Sequence, residues 1–105
     1  RYIDENYSRT ITLDSLAEIA HVNKYYLSHS FKREYGASPI DYLMKRRITE
    51  AKALLTSTDF SLTQIAEQIG FRSLAYFSKC FRKVEDISPN EYRKTAARKA
   101  PPGNL

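Results

Sequence analysis

The sequence holds one cysteine, no tryptophan, three glycines and four prolines. A lone thiol excludes an intramolecular disulfide. With only His21 and His29 beside it, Cys80 cannot anchor a zinc site either. Cys80 is therefore expected to pack as a small apolar residue in a reducing compartment. Three glycines are too few for a phosphate-cradling loop, and no Ser/His/Asp or Cys/His arrangement is suggested by spacing. No catalytic residue, metal or cofactor is expected. No apolar run approaches the ~18 residues a membrane span needs, and no secretory leader is expected. A cytoplasmic location follows as the expectation. The scarcity of glycine and proline argues against disorder, except in a flexible tail at 98–105 that ends Pro101-Pro102-Gly103-Asn104-Leu105. The chain opens on Arg1 rather than Met and is expected to be a piece of something longer.

What is abundant is positive charge and repetition. Over 105 residues the formal net charge is +5, with a pI near 9.4, which suits a polyanionic partner without proving one. Tyr26, Ser28, Phe31, Ser38, Pro39 and Tyr42 return 50 positions later as Tyr76, Ser78, Phe81, Ser88, Pro89 and Tyr92. Upstream, Ala17-Glu18 returns as Ala66-Glu67 at 49, so the second copy carries one extra residue between its first two elements. The length fits one domain, or two very small ones sharing a long element. Halves of about 45 residues lie near the lower limit for folding alone.

Helical periodicity runs throughout, with no strand signal. Leu13, Leu16, Ala17 and Ala20 fall at i, i+3, i+4 and i+7, and Leu62, Ile65, Ala66 and Ile69 repeat the spacing. Thr12 and Ser61 stand before these runs as N-caps, and Ser61 with Gln64 makes a capping box. Ser38-Pro39 and Ser88-Pro89 each set Ser at an N-cap and Pro at the first helical position. Asp41 and Glu91 are then placed to reach back to those caps. The helix opened by Pro39 keeps one apolar face for about 17 residues, or roughly 25 Å of rise. An opening helix at about Tyr2 to Tyr7 and a closing one at about Pro89 to Ala97 bring the expected total to seven.

Three stretches of the second copy carry a specific resemblance: Ile65-Ala66-Glu67-Gln68-Ile69-Gly70-Phe71, Tyr76-Phe77-Ser78-Lys79-Cys80-Phe81-Arg82-Lys83, and Ser88-Pro89-Asn90-Glu91-Tyr92-Arg93. Together with the looser first copy and with Arg47-Ile48-Thr49-Glu50-Ala51 on the connector, the chain resembles the DNA-binding domain of the AraC/XylS family of bacterial transcription regulators. The resemblance covers roughly Tyr2 to Arg93. It implies an all-α domain of seven helices at 1–97: a helix-turn-helix subdomain at about 1–37, a linker helix at about 39–56, and a second helix-turn-helix subdomain at about 57–97. Double-stranded DNA would be the partner, with one recognition helix in each of two successive major grooves. It further implies an activator that touches RNA polymerase and a sensing domain outside this chain. Two positions depart from the pattern. Asp86 stands where the first copy has Gly36, so that helix end is expected to differ in shape, and His21 stands where the second copy has Gly70.

In a helix-turn-helix the second helix presents its N-terminal residues to base edges. The first recognition helix should start near Asn23 or Lys24 and bury Leu27 and Phe31, which turns Lys24, Tyr25, Ser28, His29 and Lys32 outward. Of these, Lys24, Tyr25, Ser28 and His29 are the base-reading candidates, and Tyr25, Ser28 and His29 fall on base-contacting positions by resemblance. The second should start near Arg72 or Ser73, with Leu74, Ala75, Ser78 and Lys79 reading. That set is less polar and suited to apolar contact and shape. Phosphate contacts are expected from Asn23, Lys32, Arg33, Arg46, Arg47, Arg72, Ser73, Arg82 and Lys83. Blander readings stand beside these. Phe31, Phe81, Tyr42 and Tyr92 are core residues rather than stacking platforms, and the Lys45-Arg46-Arg47 run reads equally well as a solvated face. The apolar pair Leu74-Ala75 leaves an alternative function open, a helical protein-interaction module that has lost specific DNA reading.

Overall fold

The computed structural model describes residues 2–99, with the side chains of 98 and 99 excepted. Seven helices account for most of them: α1 (Tyr2–Asn6), α2 (Leu13–Ala20), α3 (Lys24–Tyr35), α4 (Pro39–Ser57), α5 (Leu62–Gln68), α6 (Leu74–Glu85) and α7 (Pro89–Lys99). No strand occurs among the described residues. The helix after Pro89 runs two residues past the expected boundary. Most of the expected tail lies outside the described residues. No described helix is long and apolar enough to cross a membrane.

Local chemistry explains the helix starts. Thr12, Asn23, Ser38, Ser61 and Ser73 all lie in extended backbone, and each side-chain oxygen accepts the N–H three residues on, which satisfies a donor the helix itself cannot. Ser61 and Gln64 close the capping box read from the sequence. The two Ser-Pro starts differ. Glu91 Oε1 accepts the Ser88 N–H at 3.0 Å, whereas at Asp41 only the Ser38 hydroxyl bond is formed. The return bond is made by Glu91 at Ser88, by Gln64 at Ser61 and by Ser15 at Thr12, and Asp41 makes none.

The helix stops correct one expectation. Asp86 adopts a left-handed φ of 70° and donates its N–H to the Arg82 carbonyl at 2.8 Å. Gly36, with φ 78°, bonds Lys32 at the same distance. The two ends therefore share one shape, because a short acidic side chain tolerates this conformation. His21 and Gly70 also match. Each has positive φ, with the following residue's N–H bonded five residues back, Val22 to Ala17 and Phe71 to Ala66, as in a Schellman turn. The register between copies breaks only afterwards, at Arg72, the extra residue.

Two apolar clusters lie along α4. Ile48, Ala51 and Leu55 join Ile65, Ala66, Ile69, Phe71, Phe77 and Phe81 in the larger one. Leu43 joins Ile3, Ile11 and Leu16 in the smaller. Phe81 is fully buried as expected, but Phe31, Tyr42 and Tyr92 only line their clusters, half-buried. Phe31, Tyr35 and Tyr42 stack as an aromatic trio with centroids 4.4–5.8 Å apart. The linker thus serves both halves as a shared wall, and the molecule is elongated, 53 × 25 × 22 Å.

Candidate nucleic-acid interface

Helices α3 and α6 have equal lengths, equal caps and equal stops, so equivalent residues project alike. On α3, Tyr25 is 77% exposed. Lys24, His29, Lys32 and Arg33 are exposed, and Ser28 is half-buried. Lys24 Nζ sits 3.6 Å from Asp14 and 5.9 Å from the Tyr25 ring centroid. Such an exposed pair is weak and easily exchanged for a phosphate or a base. On α6, Leu74, Ala75 and Lys79 are exposed, with Ser78 half-buried beside them. The sequence-derived reading positions therefore form one stripe on each helix.

Sequence reasoning passed over two neighbours. Tyr26 and Tyr76, equivalent in the two copies, are 60% and 47% exposed. The 50-residue repeat marked both residues but carried no sign that their rings face outward. The neighbouring Cys80 thiol holds the Tyr76 pKa above the ordinary phenol value.

The phosphate candidates divide. Lys32, Arg33, Arg72 and Lys83 are exposed cations in no ion pair among the described residues. Arg82 is exposed with Glu91 at 3.8 Å. Asn23 and Ser73 spend their side-chain oxygens as caps, on the Tyr26 N–H at 2.8 Å and the Tyr76 N–H at 3.1 Å. Only their side-chain hydrogens remain for a phosphate.

Arg47 is a correction, and Arg46 is engaged within the fold. Arg47 is 5% exposed; its Nε donates to the Tyr7 carbonyl at 2.7 Å, and a terminal nitrogen donates to the Arg9 carbonyl at 2.9 Å. Its guanidinium also lies over the Phe71 ring at 5.3 Å. Burial lowers its pKa from the ordinary value. It pins the α1–α2 segment to the linker and reaches no phosphate. Arg46 is bonded to Glu50 at 2.7 Å, lies 3.5 Å from Asp4, and covers the Tyr7 ring at 4.5 Å. Two carboxylates already neutralise it.

A helix-turn-helix domain family model matches residues 16–95. Among curated relatives, the HTH-type regulator YisR of Bacillus subtilis is 40% identical over 99 residues, covering 94% of this chain and 34% of its own length. The lactose operon transcription activator of Staphylococcus xylosus is 35% identical, covering 88% of this chain and 33% of its own. The chain thus spans about a third of the length of these relatives. Among solved structures, the C-terminal domain of AraT, a response regulator of Geobacillus stearothermophilus, superposes with a TM-score of 0.86 at 42% identity over 90% of this chain and 78% of that one. The DNA-binding domain of AdpA, solved with a target DNA, gives a TM-score of 0.90 at 26% identity over 96% and 91%. Duplicated helix-turn-helix geometry, family model and relatives agree: the chain belongs to the AraC/XylS family of DNA-binding transcription regulators.

Proposed function

We propose that this chain reads duplex DNA with two helices, α3 and α6, seated in successive major grooves on one face of the duplex. The observation that carries the reading is the identical framing of two exposed helices on one strut, in a molecule 53 Å long. Successive major grooves recur every ~34 Å, so two reading heads fit along that axis. Lys24, Tyr25, Ser28 and His29 supply donors, acceptors and a ring at one groove. Leu74, Ala75, Ser78 and Lys79 supply apolar contact and one cation at the other, Lys79 being suited to guanine. Lys32, Arg33, Arg72, Arg82 and Lys83, with the caps Asn23 and Ser73, grip phosphates and set register. Within the whole regulator, the chain acts in the cytoplasm beside a sensing part that it does not contain. Activation is the mode that the lactose operon relative's name suggests, with RNA polymerase as the proposed partner.

Selection from random duplex DNA with this chain tests the reading. The expected product is an asymmetric motif spanning about two helical turns, bound in the nanomolar range. Affinity should fall steeply with salt, as ~6–10 phosphate contacts require. Recovery of no motif, with weak binding indifferent to sequence, would leave the interaction-module alternative standing.

A further inference from the structure

Between the two helix-turn-helix units a trough opens over α4. One end, a cleft of about 610 Å³, is lined by Lys32 of α3, Lys45 of α4 and Lys83 of α6, with Cys80 and Tyr76 among its walls. The other end, about 420 Å³, carries Arg72 and Ser73 at the start of α6 and Thr12 at the start of α2. Met44 and Tyr76 line both, so the two clefts adjoin at these side chains.

Its walls gather unpaired cations. Lys24, Arg46, Lys52 and Arg82 are each matched by a carboxylate. Lys32, Lys45, Lys83 and Arg72 are matched by none among the described residues, although they come from four separate segments. Asp41 is the one carboxylate on the trough wall. Four cations facing one depression repel each other, an arrangement that a polyanion relieves.

The trough also adjoins both reading stripes. Lys32 lies one helical turn beyond Ser28 and His29, and Lys83 one turn beyond Lys79, so each is a same-face neighbour of a reading residue. Duplex DNA that enters both helices must pass its sugar-phosphate backbone across the gap between them, where the minor groove faces the protein.

We infer that this trough seats the DNA backbone between the two major grooves, with Lys45 on the linker helix as a phosphate contact alongside Lys32, Lys83 and Arg72. The inference rests on the reading of the chain as a duplex-DNA binder. It makes the linker part of the interface rather than a spacer behind it. The extra residue of the second copy, Arg72, then adds a cation where the strand passes.

Lys45→Gln tests it, with Lys52→Gln as the control, since Lys52 is already bonded to Glu85 at 3.2 Å. Far-UV helicity and Tm establish that both variants fold. On the duplex recovered by selection, Lys45→Gln should lower the slope of log affinity against log salt by about 0.9. It should also weaken binding about five- to tenfold at about 0.1 M salt, equally for matched and mismatched sites. Lys52→Gln should leave the slope unchanged. Cys80, the sole thiol, reports occupancy independently: saturating duplex should slow its alkylation by iodoacetamide at least severalfold. An unchanged slope in Lys45→Gln, or an unchanged alkylation rate at full DNA occupancy, overturns the inference while leaving the reading helices in place. Protection of Cys80 by pyrophosphate alone, with DNA affinity indifferent to Lys45, would also overturn it and mark a free-anion site instead. Loss of discrimination between selected and scrambled duplex by the unmodified chain would be the separate failure of the parent reading.

Discussion

Replacing Arg47 with alanine removes two charged donors and the stem that covers Phe71, leaving the Tyr7 and Arg9 carbonyls without their partner. Two part-buried acceptors left unpaired and a lost buried side chain together should cost roughly 2–4 kcal/mol, read as a lower midpoint in urea. The DNA salt slope should not change. Two glycines differ in the same quantitative way. A Cβ on Gly36 meets nothing within 4 Å, so Gly36→Ala bears only the left-handed backbone penalty of about 1 kcal/mol. A Cβ on Gly70 would stand 2.8 Å from the Ser8 carbonyl oxygen, at φ +100°. Gly70→Ala should therefore destabilise more than twice as much, and paired denaturant melts compare them directly. Glu91 supplies a pH test. The Ser88 backbone N–H holds its carboxyl below the ordinary range, with Arg82 and Lys94 adding smaller pulls. A depressed folded pKa gives stability that is present above the unfolded value and lost as pH falls through the folded one. Glu91→Gln keeps an oxygen for the cap but has no proton to take up. Its stability should accordingly fall less steeply than the parent's between about pH 5 and pH 3, as urea melts across that range would record.

At the level of elements, α3 and α6 share framing but not anchorage. Helix α3 has no buried residue, whereas α6 buries Phe77 and Phe81 completely. Local opening follows such differences in apolar burial, so native-state hydrogen exchange should find the amides of Leu27 to Phe31 less protected than those of Phe77 to Phe81. Equal protection would mean that the aromatic trio of Phe31, Tyr35 and Tyr42 anchors α3 as firmly as a closed core. The sequence made the helices legible because caps, Ser-Pro starts and apolar periodicity act within a few residues. It did not make Arg47 legible, because its partners are carbonyls 40 and 38 residues earlier in the chain and no side-chain pattern announces them. Asp86 looked like a departure because residue type alone suggests that glycine is needed, yet the backbone bond to Arg82 tolerates a substitute. The reading stripes followed from periodicity and resemblance. The trough did not, since it exists only where three helices converge.

For the whole molecule, rigidity becomes a statement about DNA geometry. Both clusters draw on α4, so the two reading heads cannot rotate freely about each other. Inserting five base pairs between the halves of a selected site turns the second half to the far side of the duplex, given about 10–10.5 base pairs per turn. Affinity should drop to the level of unrelated DNA, and inserting ten should not restore it, because the fixed span no longer reaches. Gel shifts on the three duplexes decide this.

The α1–α2 segment has a consequence of its own. Tyr7 and Arg9 are tied to the linker while Ser8 presses on Gly70, so the opening stretch of the first repeat acts as a latch on the second. A protease nick between Thr58 and Ser61 should thus leave two pieces that travel together on gel filtration. Trimming the chain from its front through Arg9 should instead loosen both repeats, since it takes Ile3 from the smaller cluster and Ser8 from its place against Gly70.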